Sequence, residues 1–156
     1  MRSISTLVAV IGLFLTIAAA PSAAQTRSCR DNGELRSVTK ARSGGFETVT
    51  FEFVGSGLPD KAEVRDARPP IQNYGGENLR MKGKAFKTVF FALVPWMCKV
   101  RESFGTSTST IRDIRQTEQF EGHIEYAIGY SSKAKFVGTS TVRERRRTKF
   151  IVRFKR

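Results

Sequence analysis

The sequence is short of the residues that usually carry chemistry. His123 is its only histidine, and Cys29 and Cys98 are its only cysteines. Zinc sites draw ligands from Cys, His and carboxylates at recognisable spacings, and three residues this far apart make no such set, so no metal is expected. A nucleophilic enzyme needs a nucleophile, a base and a group that orients the base. A lone histidine between Gly122 and Ile124 has no partner fixed by spacing, although Glu121 and Glu125 share its strand parity and offer a local pH-sensitive contact. The 14 acids are scattered, so no carboxylate pair for glycoside hydrolysis stands out. The glycines fall at turn-like positions and build no phosphate loop. These absences lead us to expect a chain with no cofactor and no catalytic residue.

Apolar runs of membrane-spanning length are missing too. Leu7 to Ala20 is almost wholly apolar, follows Arg2 and is followed by the small residues Ser22-Ala23-Ala24. That pattern is a secretory signal peptide cut after Ala24, spanning residues 1–24. The alternative, a retained anchor, requires about 20 apolar residues, more than this run supplies. No lipoprotein anchor is expected either, because Thr26-Arg27-Ser28 precedes Cys29 where small apolar residues are needed. Cleavage leaves residues 25–156, one domain's worth, with no transmembrane segment. It removes one of the 27 lysines and arginines and none of the 14 acids, so the mature charge is +12. Such a balance favours anionic polymers or surfaces and says nothing about fold.

In an exported chain, Cys29 and Cys98 read as one disulfide, which would stabilise by roughly 4 kcal/mol in the chain-entropy model. Spacing alone does not bring two Cα atoms within bridging distance, and two independent thiols remain the alternative.

What the sequence has in quantity is alternation. Gly44 to Gly55 sets Val49, Phe51 and Phe53 on one strand face, against Thr48, Thr50 and Glu52 on the other. β-branched and aromatic residues suit that pleated surface, and we take this as the strand that anchors the core. Residues 25–34 are read as a loose polar segment. Leu35 to Arg42 reads as a first strand, with Leu35, Ser37, Thr39 and Ala41 on one side. Ala62 to Asp66 follows the break at Gly55 to Asp60, and Arg68-Pro69-Pro70 ends it. A short strand is expected at Leu79 to Lys82 after the Tyr74-Gly75-Gly76 turn. Thr88 to Val94 reads as a strand buried on both faces, ended by a turn at Pro95-Trp96. Ser103 to Thr110 reads as an exposed loop. Ile111 to Thr117, Phe120 to Tyr130, Lys135 to Thr139 and Thr148 to Phe154 complete the set. In the second of these, Phe120, Ile124, Tyr126, Ile128 and Tyr130 share one parity. About eight short strands, no convincing helix and many glycine turns argue an all-β fold, a sandwich or a barrel.

These residues carry a resemblance. Gly45-Phe46-Glu47-Thr48-Val49-Thr50-Phe51-Glu52-Phe53 resembles the "GFDRVVFEF" opening of the AMIN-like domain family of exported bacterial proteins. Ala62 to Ala67 resembles its next strand. Ile111-Arg112-Asp113-Ile114-Arg115, leading to Phe120-Glu121-Gly122, resembles its later "FEG" segment, and Phe120 to Tyr130 the strand that contains it. The resemblance covers about residues 35–156 and implies a compact β-sandwich in a non-catalytic envelope module. Related AMIN domains localise amidases and secretion proteins by binding peptidoglycan. The end differs from the family: Arg153 stands where its last strand has an acid, and Arg145-Arg146-Arg147 replaces a Pro-containing turn.

The basic end is the most distinctive charged feature. Arg143, Arg145, Arg146, Arg147, Lys149 and Arg153 are the candidate ligand-binding residues. Read as one final strand, Arg143, Arg145 and Arg147 share a parity, Arg146 lies in the turn that opens the strand, and Phe150, Val152 and Phe154 face inward. The plain alternative is a solvated edge strand whose charge discourages edge-to-edge pairing. The expected function is attachment to the cell envelope through peptidoglycan or an associated anionic polymer. The alternative is a protein-interaction module, an assembly factor or inhibitor, in the periplasm or outside the cell. A rival enzyme would need a polar cluster in a deep pocket. Charge with nearby aromatics also suits nucleic acid, but export argues against that partner.

Overall fold

The computed structural model describes residues 29–59, 61–95, 98, 100, 102–105 and 110–156. The signal peptide read at 1–24 lies outside the described residues, as do Trp96 and Thr106 to Ser109. Nine strands follow in order: β1 Leu35–Ser43, β2 Phe46–Val54, β3 Lys61–Ala67, β4 Ala85–Ala92, β5 Ser103–Gly105, β6 Ile111–Phe120, β7 His123–Tyr130, β8 Lys135–Glu144 and β9 Arg147–Lys155. They form two antiparallel sheets, one of order β1-β2-β9-β8 and one of order β3-β4-β7-β6-β5. No helix occurs among the described residues, so none is long and apolar enough to cross a membrane. The fold is an all-β sandwich, as the alternation and the resemblance implied.

β2 alternates through its whole length. Glu47, Val49, Phe51 and Phe53 are fully buried, and the residues between them are half-exposed. Antiparallel pairing sets Val49 against Val152 and Phe51 against Phe150 of β9, so one inner face is built from two matched rows. The opposing sheet supplies Val89, Phe91, Ile114, Ile124, Tyr126 and Ile128. Aromatic rings close the gap between the sheets. Phe51 lies 5.1 Å from Phe91 and 5.5 Å from Tyr126, and Phe53 lies 4.9 Å from Phe91, at tilted or edge-on angles that ring quadrupoles favour. Burial pushes the Tyr126 phenol well above its ordinary range, with the Glu102 charge adding to the effect.

Four elements depart from the sequence reading. In β1 a bulge between Leu35 and Ser37 adds a residue, so Val38 joins Leu35 in the core and Thr39 is exposed. Leu79 to Lys82 is no strand. The Leu79 N–H donates to Ile71, that of Met81 to Leu79, and that of Lys82 to the Asp113 carboxylate, which leaves no ladder to join. Leu79 and Met81 instead pack on a small second cluster of Ile71, Phe86 and Ala127, on the far side of the β4–β7 sheet from the main core. The expected loop at Ser103 to Thr110 begins as edge strand β5, paired with β6, and Thr110 is buried. Finally, Phe120 to Tyr130 is two strands. Glu121 and Gly122 turn the chain at φ 45° and 80°, which leaves Phe120 exposed and stacked on Tyr74 at 4.7 Å, while Ile124, Tyr126, Ile128 and Tyr130 are buried. The run at Thr88 to Val94 lies in interior strand β4, which ends at Ala92. Phe91 faces the main core and Phe86 the second cluster.

Candidate functional site

The basic end folds as a hairpin. Arg143 is the last residue but one of β8, Arg145 and Arg146 make the turn, and Arg147, Lys149 and Arg153 lie on β9. This corrects the single-strand reading. Arg143 pairs opposite Thr148, so it shares that residue's face and not the outer face of Lys149. β9 is also an interior strand, between β2 and β8, and the edge is β8. The other half of the reading stands: Thr148, Phe150, Val152 and Phe154 are buried, and Arg147, Lys149 and Arg153 take the outer face.

The outer face is partly neutralised. Glu144 accepts from Lys149 Nζ at 2.8 Å and from Arg147 Nε. Those two hydrogen bonds hold the Glu144 carboxyl below the usual carboxylate range. Arg147 also lies 3.7 Å from Glu52 of β2, and Glu52 lies 3.8 Å from Arg36 of β1. Arg153 sits over the Phe46 ring at 5.8 Å. Among the described residues Arg143, Arg145 and Arg146 form no ion pair. A shallow depression of about 420 Å³ is lined by Arg36, Glu144, Arg145, Arg146 and Arg147.

The turn is anchored from below. The Gly55 N–H donates to the Arg146 carbonyl at 2.9 Å, and the Thr148 hydroxyl donates to the Gly55 carbonyl at 3.1 Å. Gly55 has φ 82°, a left-handed conformation that favours glycine, and a Cβ there would have to displace the Asn32 side chain. Two exposed guanidinium groups thus project from a fixed backbone. Arg36 and Glu52, which complete the site, were not legible as members of it, because they are distant in sequence and arrive only through β1–β2–β9 pairing.

Cys29 and Cys98 are joined by a disulfide across 69 residues, with Cα atoms 5.4 Å apart. The Cys98 N–H donates to the Leu35 carbonyl at 3.0 Å, which ties this link to the start of β1. The buried Glu34 carboxylate lies within 4.8 Å of both sulfurs and accepts the Arg30 and Asp31 N–H groups at 2.9 Å. Sulfurs bonded to each other are not thiolates, the form that binds metal, so this trio is no ligand set. His123 is half-exposed. Its Nδ1 lies 3.8 Å from Glu118 and its ring 5.3 Å from Phe90. The acid it meets is therefore Glu118, across the hairpin, and not the expected Glu121 or Glu125; Glu125 accepts the Thr117 hydroxyl at 2.9 Å.

Comparison with known proteins adds one match and two blanks. No curated protein and no solved structure matches the chain. The family model of the AMIN-like domain matches residues 33–148, from just before β1 to the second residue of β9.

Proposed function

The chain belongs to the AMIN-like domain family, and from that premise we propose that it is an exported, non-catalytic module that attaches to an anionic polymer of the cell envelope, peptidoglycan or one associated with it. The family is associated with the cell envelope. The observation that carries the finer reading is the anchored turn, which holds Arg145 and Arg146 exposed and outside any ion pair among the described residues. Guanidinium groups bind carboxylate or phosphate through paired hydrogen bonds and stay charged at any relevant pH. One exposed pair is worth about 0–1 kcal/mol, so attachment depends on many weak contacts along a repeating polymer.

Co-sedimentation with purified sacculi, stripped or not of their anionic polymers, tests this reading. Arg145→Gln/Arg146→Gln is expected to leave the fold intact and to weaken binding most at low salt. Binding that matches the parent across a salt series would overturn it. The exposed, stacked Tyr74 and Phe120 favour a second reading, a protein-interaction module. Capture through an apolar surface resists salt, whereas binding through arginines does not.

A further inference from the structure

We propose that the opposite end of the sandwich holds a discrete site for a phosphate-bearing anion. A cleft of about 680 Å³ opens there, lined by Lys82, Lys84, Arg112, Lys133 and Arg156 together with Ser131. No Asp or Glu side chain lines it. Among the described residues none of these five cations takes part in an ion pair, in contrast to Arg147 and Lys149 at the other end. The cations come from separate parts of the chain: the approach to β4, the start of β6, the β7–β8 turn and the end of β9. Like charges gathered in one concavity repel one another, and their fields add at its centre, so a bound anion is stabilised by all of them.

The cleft is built and held. Lys82-Gly83-Lys84 crosses so close to β7 that a Cβ on Gly129 would stand 2.2 Å from the Lys82 carbonyl oxygen, and one on Gly83 would stand 2.9 Å from the Gly129 Cα. Two glycines therefore permit the approach that sets Lys82 and Lys84 at the rim. The Lys84 N–H donates to Tyr130, and the Ser131 N–H donates to Thr110, each within 2.9 Å. Two buried carboxylates pin the flanking backbone: Asp113 accepts the Lys82 N–H at 3.1 Å, and Glu47 accepts the Ile111 N–H at 3.0 Å. Both acids lie outside the lining, so they position the cations and do not occupy the cleft, although their charge tempers the field.

The ligand chemistry follows from the cations. A single carboxylate carries one charge and would leave most of this cluster unmatched. A phosphate monoester carries about two negative charges near neutral pH with three acceptor oxygens, and a pyrophosphoryl group offers more. Lysine ammonium groups bind phosphate as point charges, without the paired geometry that arginine imposes. Such a group can come from a free or terminal phosphate, or from a phosphodiester polymer. This site does not rest on the envelope reading.

The probe is inorganic pyrophosphate, titrated at low salt into the isotope-labelled protein while amide resonances are followed. Saturable shifts centred on Lys82 to Lys84, Arg112 and Ser131 to Lys133 are expected. Lys84→Gln/Lys133→Gln, both exposed and so compatible with folding, is expected to weaken binding by at least roughly tenfold, the scale of one lost charge-assisted contact. Arg145→Gln/Arg146→Gln should leave it unchanged, which separates this site from the one tested with sacculi. Displacement of pyrophosphate by polyglycerol phosphate assigns the polymer as the source. No displacement assigns a free or terminal phosphate. Shifts that do not saturate, that centre on Arg145 to Arg147, or that survive the lysine substitutions in a folded variant overturn the proposal.

Discussion

The two ends of this sandwich are both basic, and they are basic in different ways. At the hairpin end the arginines are clustered in sequence with Glu144 among them, and folding brings Glu52 alongside. At the cleft end the cations are dispersed in sequence, and folding gathers them with no Asp or Glu side chain in the lining. β9 joins the two, running from Arg147 at the hairpin to Lys155, next to Arg156 of the cleft. Nine residues at about 3.3 Å each separate them by roughly 30 Å, several times the ~8 Å over which charge acts at physiological salt. The ends are thus electrostatically independent and mechanically joined. A conspicuous charge run is not the same as a cationic site: what matters is the charge left uncompensated after folding.

The largest expected effect breaks both ends together. Phe51 packs on Phe91 and Tyr126 at the centre of β2, which is the neighbour of β9. Phe51→Ala is expected to cost about 3–5 kcal/mol. A thermal melt should fall in one cooperative step, with both binding activities lost over the same range. A melt unchanged by the substitution would remove the core role assigned to β2.

Next in size is the disulfide, which tells the ends apart. Cys98 hydrogen-bonds the start of β1, and the neighbouring Gly33 N–H donates to Val54 beside the arginine turn. Removing a native disulfide from a small domain costs roughly 2–5 kcal/mol. Cys29→Ser/Cys98→Ser should therefore lower the melt and speed amide exchange at Gly33, Val54 and Gly55 before Lys84 and Ser131. Equal acceleration at both ends would show that the link stabilises the domain without favouring the hairpin.

The contrast also marks what could be read from the chain. Parity alone placed Val49, Phe51 and Phe53 inside, because β2 is regular from end to end. The same parity put Glu47 on the buried face, a signal passed over because a carboxylate is seldom interior without partners. Parity failed where geometry changed locally, at the bulge after Leu35 and at the tight turn that strands Phe120 outside. Leu79 and Met81 alternate like a strand, yet the pattern reports packing on Phe86, and the backbone is satisfied elsewhere. For the sites the limit was distance. The arginine run is local and visible. The pairing of Glu52 with Arg147, and the meeting of Lys84 with Lys133, are set by sheet register and by glycine crossings that no spacing rule encodes.

The smallest expected change in stability gives the finest test of compensation. Glu144 is half-exposed and is the main acid facing Arg147 and Lys149. Glu144→Gln should barely move the melt near neutral pH, since solvent screens such pairs. It releases two cations on the hairpin's outer face, so binding to sacculi should strengthen and grow more salt-dependent, while pyrophosphate binding at the cleft stays unchanged. The sign with pH is fixed by the direction of the shift. The folded Glu144 carboxyl lies below its ordinary value of 4.5, so its contribution is present above that value and lost as pH falls through the folded value. Any difference in melt between parent and Glu144→Gln should therefore vanish in acid and persist at neutral pH. If the substitution leaves sacculus binding unchanged in a folded protein, compensation by Glu144 does not limit the hairpin, and Arg145 and Arg146 alone set its strength.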